Sequence, residues 1–224
     1  MPFNSVSRVD DLVQVRNAIV SVYDKGGLET LARGLLEACP GVRLYSTGGT
    51  LAALRGILGP GAAGCLVAVE DYTGQPEMKG GLVKTLDWRI YLGLLSEPYD
   101  PDHEADRSRL GAVAFDLVVG NLYPFGAVSS APGPFEAARQ NVDIGGPCML
   151  RAAAKNFLRV AAVCDPGDYP AILGELRRTG GRLGLATRAR LAGKVFETTS
   201  RYDAAIAAFL ERRTGDLPGE YEVR

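Results

Sequence analysis

Histidine is nearly absent from this 224-residue chain, which has only His103. A Ser-His-Asp catalytic system has little to work with here, and a zinc site needing two or more imidazoles is disfavoured for the same reason. His103 sits in the charged run Tyr99 to Arg109, with PDHEADRSR at its heart, where a lone histidine reads as solvated surface. Cysteine is scarce and scattered. Cys39, Cys65, Cys148 and Cys164 form no C-x-x-C pair and have no neighbouring histidine, so metal-ligand and redox-motif readings both fail. Their apolar surroundings mark them as buried thiols, with Cys148, beside a polar candidate site, as the exception. An excess of charge is missing too: 25 Lys+Arg against 26 Asp+Glu leave a net charge of -1, which gives no argument for a nucleic-acid or anionic-membrane partner. No segment approaches the apolar length of a membrane span, and MPFNSVSRVDDLVQVRN lacks an apolar run behind a basic head, so a cytoplasmic location is expected.

What is present is an alternation of strand and helix patterns. Ala18 to Val22 is a short apolar strand, followed by Leu28 to Ala38 with leucines at 28, 31, 35 and 36 on one helical stripe. Val42 to Tyr45 reads as a second strand, Leu51 to Leu58 as a helix and Leu66 to Val69 as a third strand, with further β-rich segments at Ile90 to Leu95 and Phe115 to Val119. Apolar strands separated by helices predict an α/β fold with a mostly parallel sheet covered on both faces, and functional loops at the carboxyl ends of its strands. The second half is mainly helical. Phe135 to Gln140, Cys148 to Lys155, Tyr169 to Arg178, Leu185 to Thr198 and Tyr202 to Leu210 read as helices, Val160 to Cys164 as a strand, and Asp168 as an N-cap. The polar tail beyond Arg212 is expected to be loosely held or tied down by a partner.

Four polar concentrations carry candidate chemistry. Ser21-Val22-Tyr23-Asp24-Lys25-Gly26-Gly27 and Ser46-Thr47-Gly48-Gly49-Thr50 are glycine-rich turns between a strand and a helix, where backbone N–H groups can hold phosphate. Each is equally a tight turn that caps a helix, and neither is a P-loop or dinucleotide fingerprint. Lys84, followed by Thr85, is either a solvated lysine or a donor where negative charge develops on an oxygen. Asn121 and Tyr123, in Asn121-Leu122-Tyr123-Pro124-Phe125, follow a strand and can be aimed at one volume, although Tyr123 also reads as a packing residue. In NVDIGGPCMLRAAAKN, residues 141–156, Asp143 and Lys155 can supply proton transfer in a histidine-poor protein; structurally, Asp143 can cap the Ile144-Gly145-Gly146 turn and Lys155 can sit on the C-terminal end of its own helix.

SVYDKGG, STGGT, DYTGQPEMKGGLVKTL, FDLVVGNLYPF, NVDIGGPCMLRAAAKN and VFETTSRYDAAIAAFL occur here in one order, from about Asn17 to Leu210. Taken together they resemble the inosine monophosphate cyclohydrolase domain of the bifunctional purine-biosynthesis enzyme. The resemblance implies a methylglyoxal-synthase-like α/β core over 17–134, after an N-terminal tail at 1–16, and a cyclohydrolase-specific extension over 135–224. It implies closure of 5-formamidoimidazole-4-carboxamide ribonucleotide to inosine monophosphate with loss of water, by a homodimer needing no redox cofactor and no obligatory metal. The large formyltransferase domain of the bifunctional enzymes has no counterpart in these residues, so a separate formyltransferase partner is expected. Lys84, Tyr123, Asp143 and Lys155 match the family's active-site residues. Ser21, Lys25 and Ser46 to Thr50 match its phosphate-receiving region, with Thr85 close to the substrate.

That chemistry requires the carboxamide nitrogen and the formyl carbon to be held in near-attack geometry. Asp143 is the candidate proton acceptor, and Lys155 the group that steadies charge or assists the departing hydroxyl. Lys84, Tyr123 and backbone donors near Gly145 and Gly146 are assigned to the developing oxyanion. Family members carry arginine before VKTL and histidine-proline after it, whereas this chain has Leu82 and Asp87-Trp88. Leu82 removes a cation for which Lys79 is expected to compensate, Asp87 is expected to add negative charge where an anion approaches, and IYLGLL replaces a histidine-glycine-glycine pattern. These departures keep two other classes in view: a ribonucleotide-binding regulatory or scaffold protein without turnover, and a methylglyoxal-synthase-like enzyme.

Overall fold

A computed structural model describes residues 5–75 and 84–222. Its centre is a five-stranded sheet in the order β4-β3-β2-β5-β6, made of β2 (Asn17–Val22), β3 (Arg43–Ser46), β4 (Leu66–Ala68), β5 (Leu117–Asn121) and β6 (Ala161–Val163). Every neighbouring pair is parallel. After β2 the chain winds to one side through β3 and β4, then returns to lay β5 and β6 on the other. The winding direction therefore reverses between β2 and β5, the place where open α/β sheets leave a crevice beyond their strand ends. The register pairs Val22 with Asn121 and Val20 with Ser46, which brings three of the sequence-predicted polar turns to one carboxyl edge.

Both faces of the sheet are buried, which is why its strands are apolar throughout. Along β2, Ala18, Val20 and Val22 pack on one side with Leu31, Leu35 and Leu173, beneath the helices Leu28–Ala38 and Tyr169–Thr179. Ile19 points to the other side and joins Ile90, Leu94, Phe115, Leu150 and Val195, beneath the helices Trp88–Leu95, Gly145–Lys155 and Leu185–Arg213. This alternation is the period-2 geometry of a strand. Gly34 lets the first pair of helices approach closely: a Cβ there would lie 2.7 Å from Leu173. A smaller cluster of Phe125, Phe135, Ala138 and Phe209 fastens the helices Phe125–Ser130 and Phe135–Gln140 to the long C-terminal helix.

The architecture is the one the resemblance implies, with local differences. Ile90 to Leu95, read as β-rich, lies in the helix Trp88–Leu95, because an unbroken apolar run suits a buried helix as well as a strand. Asp87 caps that helix, accepting the Arg89 N–H at 2.8 Å. At 4 % exposure its carboxylate is turned inward and lies outside the cleft described below, so it does not face an approaching anion as expected. Leu185 to Thr198 and Tyr202 to Leu210 are one helix, Leu185–Arg213. Asp168 makes no cap bond; it is ion-paired to Arg190 at 3.1 Å and Lys194 at 2.7 Å, while Asp165 caps the turn by accepting the Gly167 N–H.

The segment read as an N-terminal tail is anchored at its end. β1 (Leu12–Gln14) pairs antiparallel with β7 (Arg182–Gly184), and the fully buried Arg188 donates to the carbonyls of Asp10 and Asp11. Beyond Arg212 the chain is held by its own residues: Glu220 accepts the Phe135 N–H at 3.0 Å and Tyr221 donates to Glu136 at 2.6 Å. Cys39 and Cys164 are buried, Cys65 is half-buried and Cys148 is exposed.

Candidate active site

A cleft of about 310 Å³ opens at the carboxyl ends of β2 and β5. Its first wall is the turn after β2. Asn121 accepts the N–H groups of Tyr23 (2.7 Å) and Asp24 (2.9 Å) and donates to the Asp24 carbonyl (2.8 Å). Its amide thus closes the turn and holds Tyr23, Asp24 and Lys25 in place, while the residue itself borders the cleft. Lys25 Nζ donates to the Tyr23 carbonyl at 3.2 Å, which folds the ammonium back over the cleft.

The second wall is the start of the helix Gly48–Leu58. Thr47 precedes it in extended conformation without a side-chain cap bond, and the first N–H groups of a helix have no partner inside the helix. Gly48 has φ +53°, the left-handed region that favours glycine, and a Cβ there would stand 2.8 Å from Lys84 Nζ. A Cβ at Gly49 would stand 3.9 Å from Lys25 Nζ. Two ammonium groups from distant segments therefore converge on one helix N-terminus, a combination suited to an anion. Ser21 and Thr47 share this corner. Two neighbours serve its scaffold instead. Ser46 is fully buried and donates to the Val20 carbonyl at 2.7 Å, outside the cleft, while Thr50 borders the cleft but accepts the Val22 N–H (3.1 Å) and donates to the Val22 carbonyl (2.9 Å).

The opposite wall is the approach to the helix Gly145–Lys155. Asp143 accepts the Gly146 N–H at 2.9 Å and the Tyr123 N–H at 3.4 Å, so one carboxylate fastens two loops of the cleft. Burial pushes its pKa above the ordinary aspartate range, against the opposing pull of those two N–H groups. Gly146 is required for this approach, since a Cβ would lie 2.6 Å from the carboxylate. The Gly146 N–H is already used by Asp143, which removes it as the oxyanion donor expected from sequence. Gly145 stays on the cleft wall, with the Thr85 hydroxyl 3.1 Å from the position of its absent Cβ. Tyr123 is exposed at the mouth and meets Tyr23 edge-on, with ring centroids 5.6 Å apart.

Lys155 is not brought to Asp143. It lies in the last turn of the helix that begins at Gly145, about 15 Å away at 1.5 Å per residue. Its side chain is exposed, on a stripe with Ile144, Cys148 and Arg151.

Tyr202 and Tyr23 were not singled out from sequence. The Tyr202 hydroxyl accepts the Asp143 N–H at 2.9 Å and donates to the Asn141 carbonyl at 3.0 Å, setting the loop that carries the carboxylate. Its place in VFETTSRYDAAIAAFL was the available signal. Leu82 and Lys79 lie outside the described residues. Among the described residues, one group has metal-ligand spacing: Glu97, Asp100 and His103, with candidate ligand atoms within 4.8 Å of one another. It is remote from the cleft, and its polar atoms cap the helix Pro101–Arg109: Asp100 accepts the Asp102 and His103 N–H groups, and His103 Nδ1 accepts the Glu97 N–H.

A doubly wound sheet with a cationic helix N-terminus and a half-buried carboxylate across one switch-point crevice is the framework of an α/β domain with a cleft suited to an anionic ligand. Comparison with known proteins makes the class specific: the chain belongs to the AICARFT/IMPCHase family. The model described as AICARFT/IMPCHase bienzyme matches residues 153–224. The bifunctional purine biosynthesis protein PurH of Chlorobium luteolum is 46% identical over 209 residues, covering 93% of this chain and 38% of that protein. PurH of Mesorhizobium japonicum is 46% identical over 200 residues, covering 89% and 36%. The chain thus spans less than two fifths of the length of these curated relatives. The crystal structure of ForH is 35% identical with a TM-score of 0.72, covering 88% of this chain and 99% of that one.

Proposed function

We propose that this chain is an inosine monophosphate cyclohydrolase, closing 5-formamidoimidazole-4-carboxamide ribonucleotide to inosine monophosphate. The observation that carries the reading is the convergence of Lys25 and Lys84 on the Gly48–Gly49 helix start, with Asp143 across the same 310 Å³ cleft. The phosphate seats on the helix N-terminus and the two ammonium groups. With that end anchored, the carboxamide nitrogen is held against the formyl carbon within one bound molecule. The new N–C bond forms as the formyl oxygen gains negative charge beside Tyr123; Lys84, assigned to that oxygen from the sequence, is read here as a phosphate-binding group because its ammonium lies against Gly48. One hydrogen from the carboxamide nitrogen and one from the formamide nitrogen then leave with that oxygen as water. Asp143 accepts the proton from the attacking nitrogen, a role that suits a carboxylate whose pKa is raised by burial.

In this reading Lys155 serves the Asp143 cleft of a second copy, in a homodimer with composite sites; its exposure and its distance from its own Asp143 support this. The reading divides the chain into a methylglyoxal-synthase-like core over 17–134 and an extension over 135–224 that adds β6 and covering helices to the central sheet and supplies Asp143 and, through Tyr202, its support. The protein works in the cytoplasm, and its formylated substrate comes from a formyltransferase. No described helix is long and apolar enough to cross a membrane. The test is conversion of the synthetic formamido ribonucleotide by purified protein. Wild type is expected to release inosine monophosphate, and Lys84→Ala to lose at least about tenfold in kcat/KM while retaining its circular dichroism, since one lost electrostatic contact is commonly worth that much. A folded wild-type protein that releases no product refutes the activity.

A further inference from the structure

Tyr23 has no task in the ring closure, yet it is held in a fixed place at the cleft mouth. Its N–H donates to Asn121, its carbonyl accepts Lys25 Nζ, and its ring meets Tyr123 at an interplanar angle of 73°. The residue is 52 % exposed, and its hydroxyl has no hydrogen-bond partner among the described residues. A half-exposed ring held in this way beside a cleft is not explained by packing. It stands between the cationic corner, through Lys25, and the proposed reaction end, through Tyr123, and all three border the same cleft. Edge-on aromatic pairs leave ring faces open, and tyrosine faces take nucleobases by stacking.

We propose that Tyr23 is a specificity-determining wall of the cleft, forming with Tyr123 an aromatic corner for the planar heterocycle of a ribonucleoside monophosphate. The proposal rests on the reading of the cleft as a purine-ribonucleotide site. It makes the site select for a base as well as a phosphate, whereas Lys25, Lys84 and the helix start select for phosphate alone.

Isothermal titration of the purified chain with inosine monophosphate and with ribose 5-phosphate separates the two contributions. Tyr23→Ala is expected to weaken inosine monophosphate about tenfold or more, in the range of one lost base–aromatic stack, and to leave ribose 5-phosphate unchanged within about twofold. Tyr23→Phe, which keeps the ring, should bind both ligands like wild type. Equal weakening of the two ligands by Tyr23→Ala, no weakening of either, or a loss in Tyr23→Phe equal to that in Tyr23→Ala overturns the aromatic wall. Wild-type protein that binds ribose 5-phosphate as tightly as inosine monophosphate overturns it too while leaving the phosphate corner standing. Wild-type protein that binds neither overturns the ribonucleotide reading itself.

Discussion

On the proposed function, Asp143→Asn and Lys155→Ala should each be inactive and should regenerate activity when their subunits are mixed. The expectation follows from the helix Gly145–Lys155, whose eleven residues put its two ends about 15 Å apart. Proton transfer needs groups within roughly 3 Å, and this backbone separation is greater than one lysine side chain spans, so the reading assigns Lys155 to the other copy's Asp143. If each site takes Asp143 from one copy and Lys155 from the other, a mixed dimer carries one intact site and one doubly damaged site. Random reassortment makes about half of all dimers mixed, so about a quarter of wild-type activity should return under the two-fold symmetry of a dimer. Subunits would be exchanged by co-refolding and the mixed dimer quantified by native mass spectrometry, with inosine monophosphate release followed in parallel. Confirmed mixed dimers with no activity above the two parents would refute the shared site.

Tyr202→Phe removes the hydroxyl that accepts the Asp143 N–H and donates to the Asn141 carbonyl. It should cost about 1–3 kcal/mol of stability, the range for leaving part-buried groups unpaired, and lower kcat while ribose 5-phosphate affinity is unchanged; equal losses in both would argue against a positioning role. Asp143→Asn should stabilise the fold at pH 7 while abolishing turnover. Burial raises the folded pKa of Asp143 above its unfolded value, so ionisation favours the unfolded chain. That penalty is full above the folded pKa and vanishes below the unfolded value of about 3.9. The denaturant midpoints of variant and wild type should therefore converge as pH falls through this window, and a difference that does not change with pH would contradict the sign.

The fold was legible where the apolar pattern left one interpretation. Leu28–Ala38 and Phe135–Gln140 coincide with their predicted spans because their stripes have a helical period and both ends are marked by turn residues. Ile90 to Leu95 did not resolve, since its apolar run has no period that separates helix from strand; the Asp87 cap decides it. The join of Leu185 to Thr198 with Tyr202 to Leu210 was hidden by the polar Thr199-Ser200-Arg201 link, although Thr199 is buried and bonds back to the Val195 carbonyl within the helix. In the cleft, the polar residues were visible by type, but their partners were not. Ser46 and Thr50 carry hydroxyls as a phosphate loop should, and only the packing of β3 and of the following helix against β2 shows that both are bonded to β2. Asn121 borders the cleft as expected, but its task of closing the turn after β2 could not be read from its type.

The two ends of the cleft set helix N-termini in opposite surroundings, one beside cations and one beside a carboxylate. At Gly48 the helix starts with Lys84 and Lys25 beside its first two residues, and Gly49 and Thr50 border the cleft, so positive charge gathers at this end. At Gly145 the helix start meets Asp143, which has already accepted the Gly146 N–H. A carboxylate in that position would ordinarily be held below the usual aspartate range by the helix field and the bonded N–H. Burial outweighs both, and the pKa moves up. The loop of Asp143 is enclosed by Tyr123 and by the Tyr202 side chain of the long C-terminal helix. The second half of the chain thus does more than enlarge the core: it carries Asp143 and, through Tyr202, sets the loop in which burial raises the carboxylate's pKa. Loosening the enclosure should therefore lower the basicity of Asp143 before it disturbs the phosphate corner.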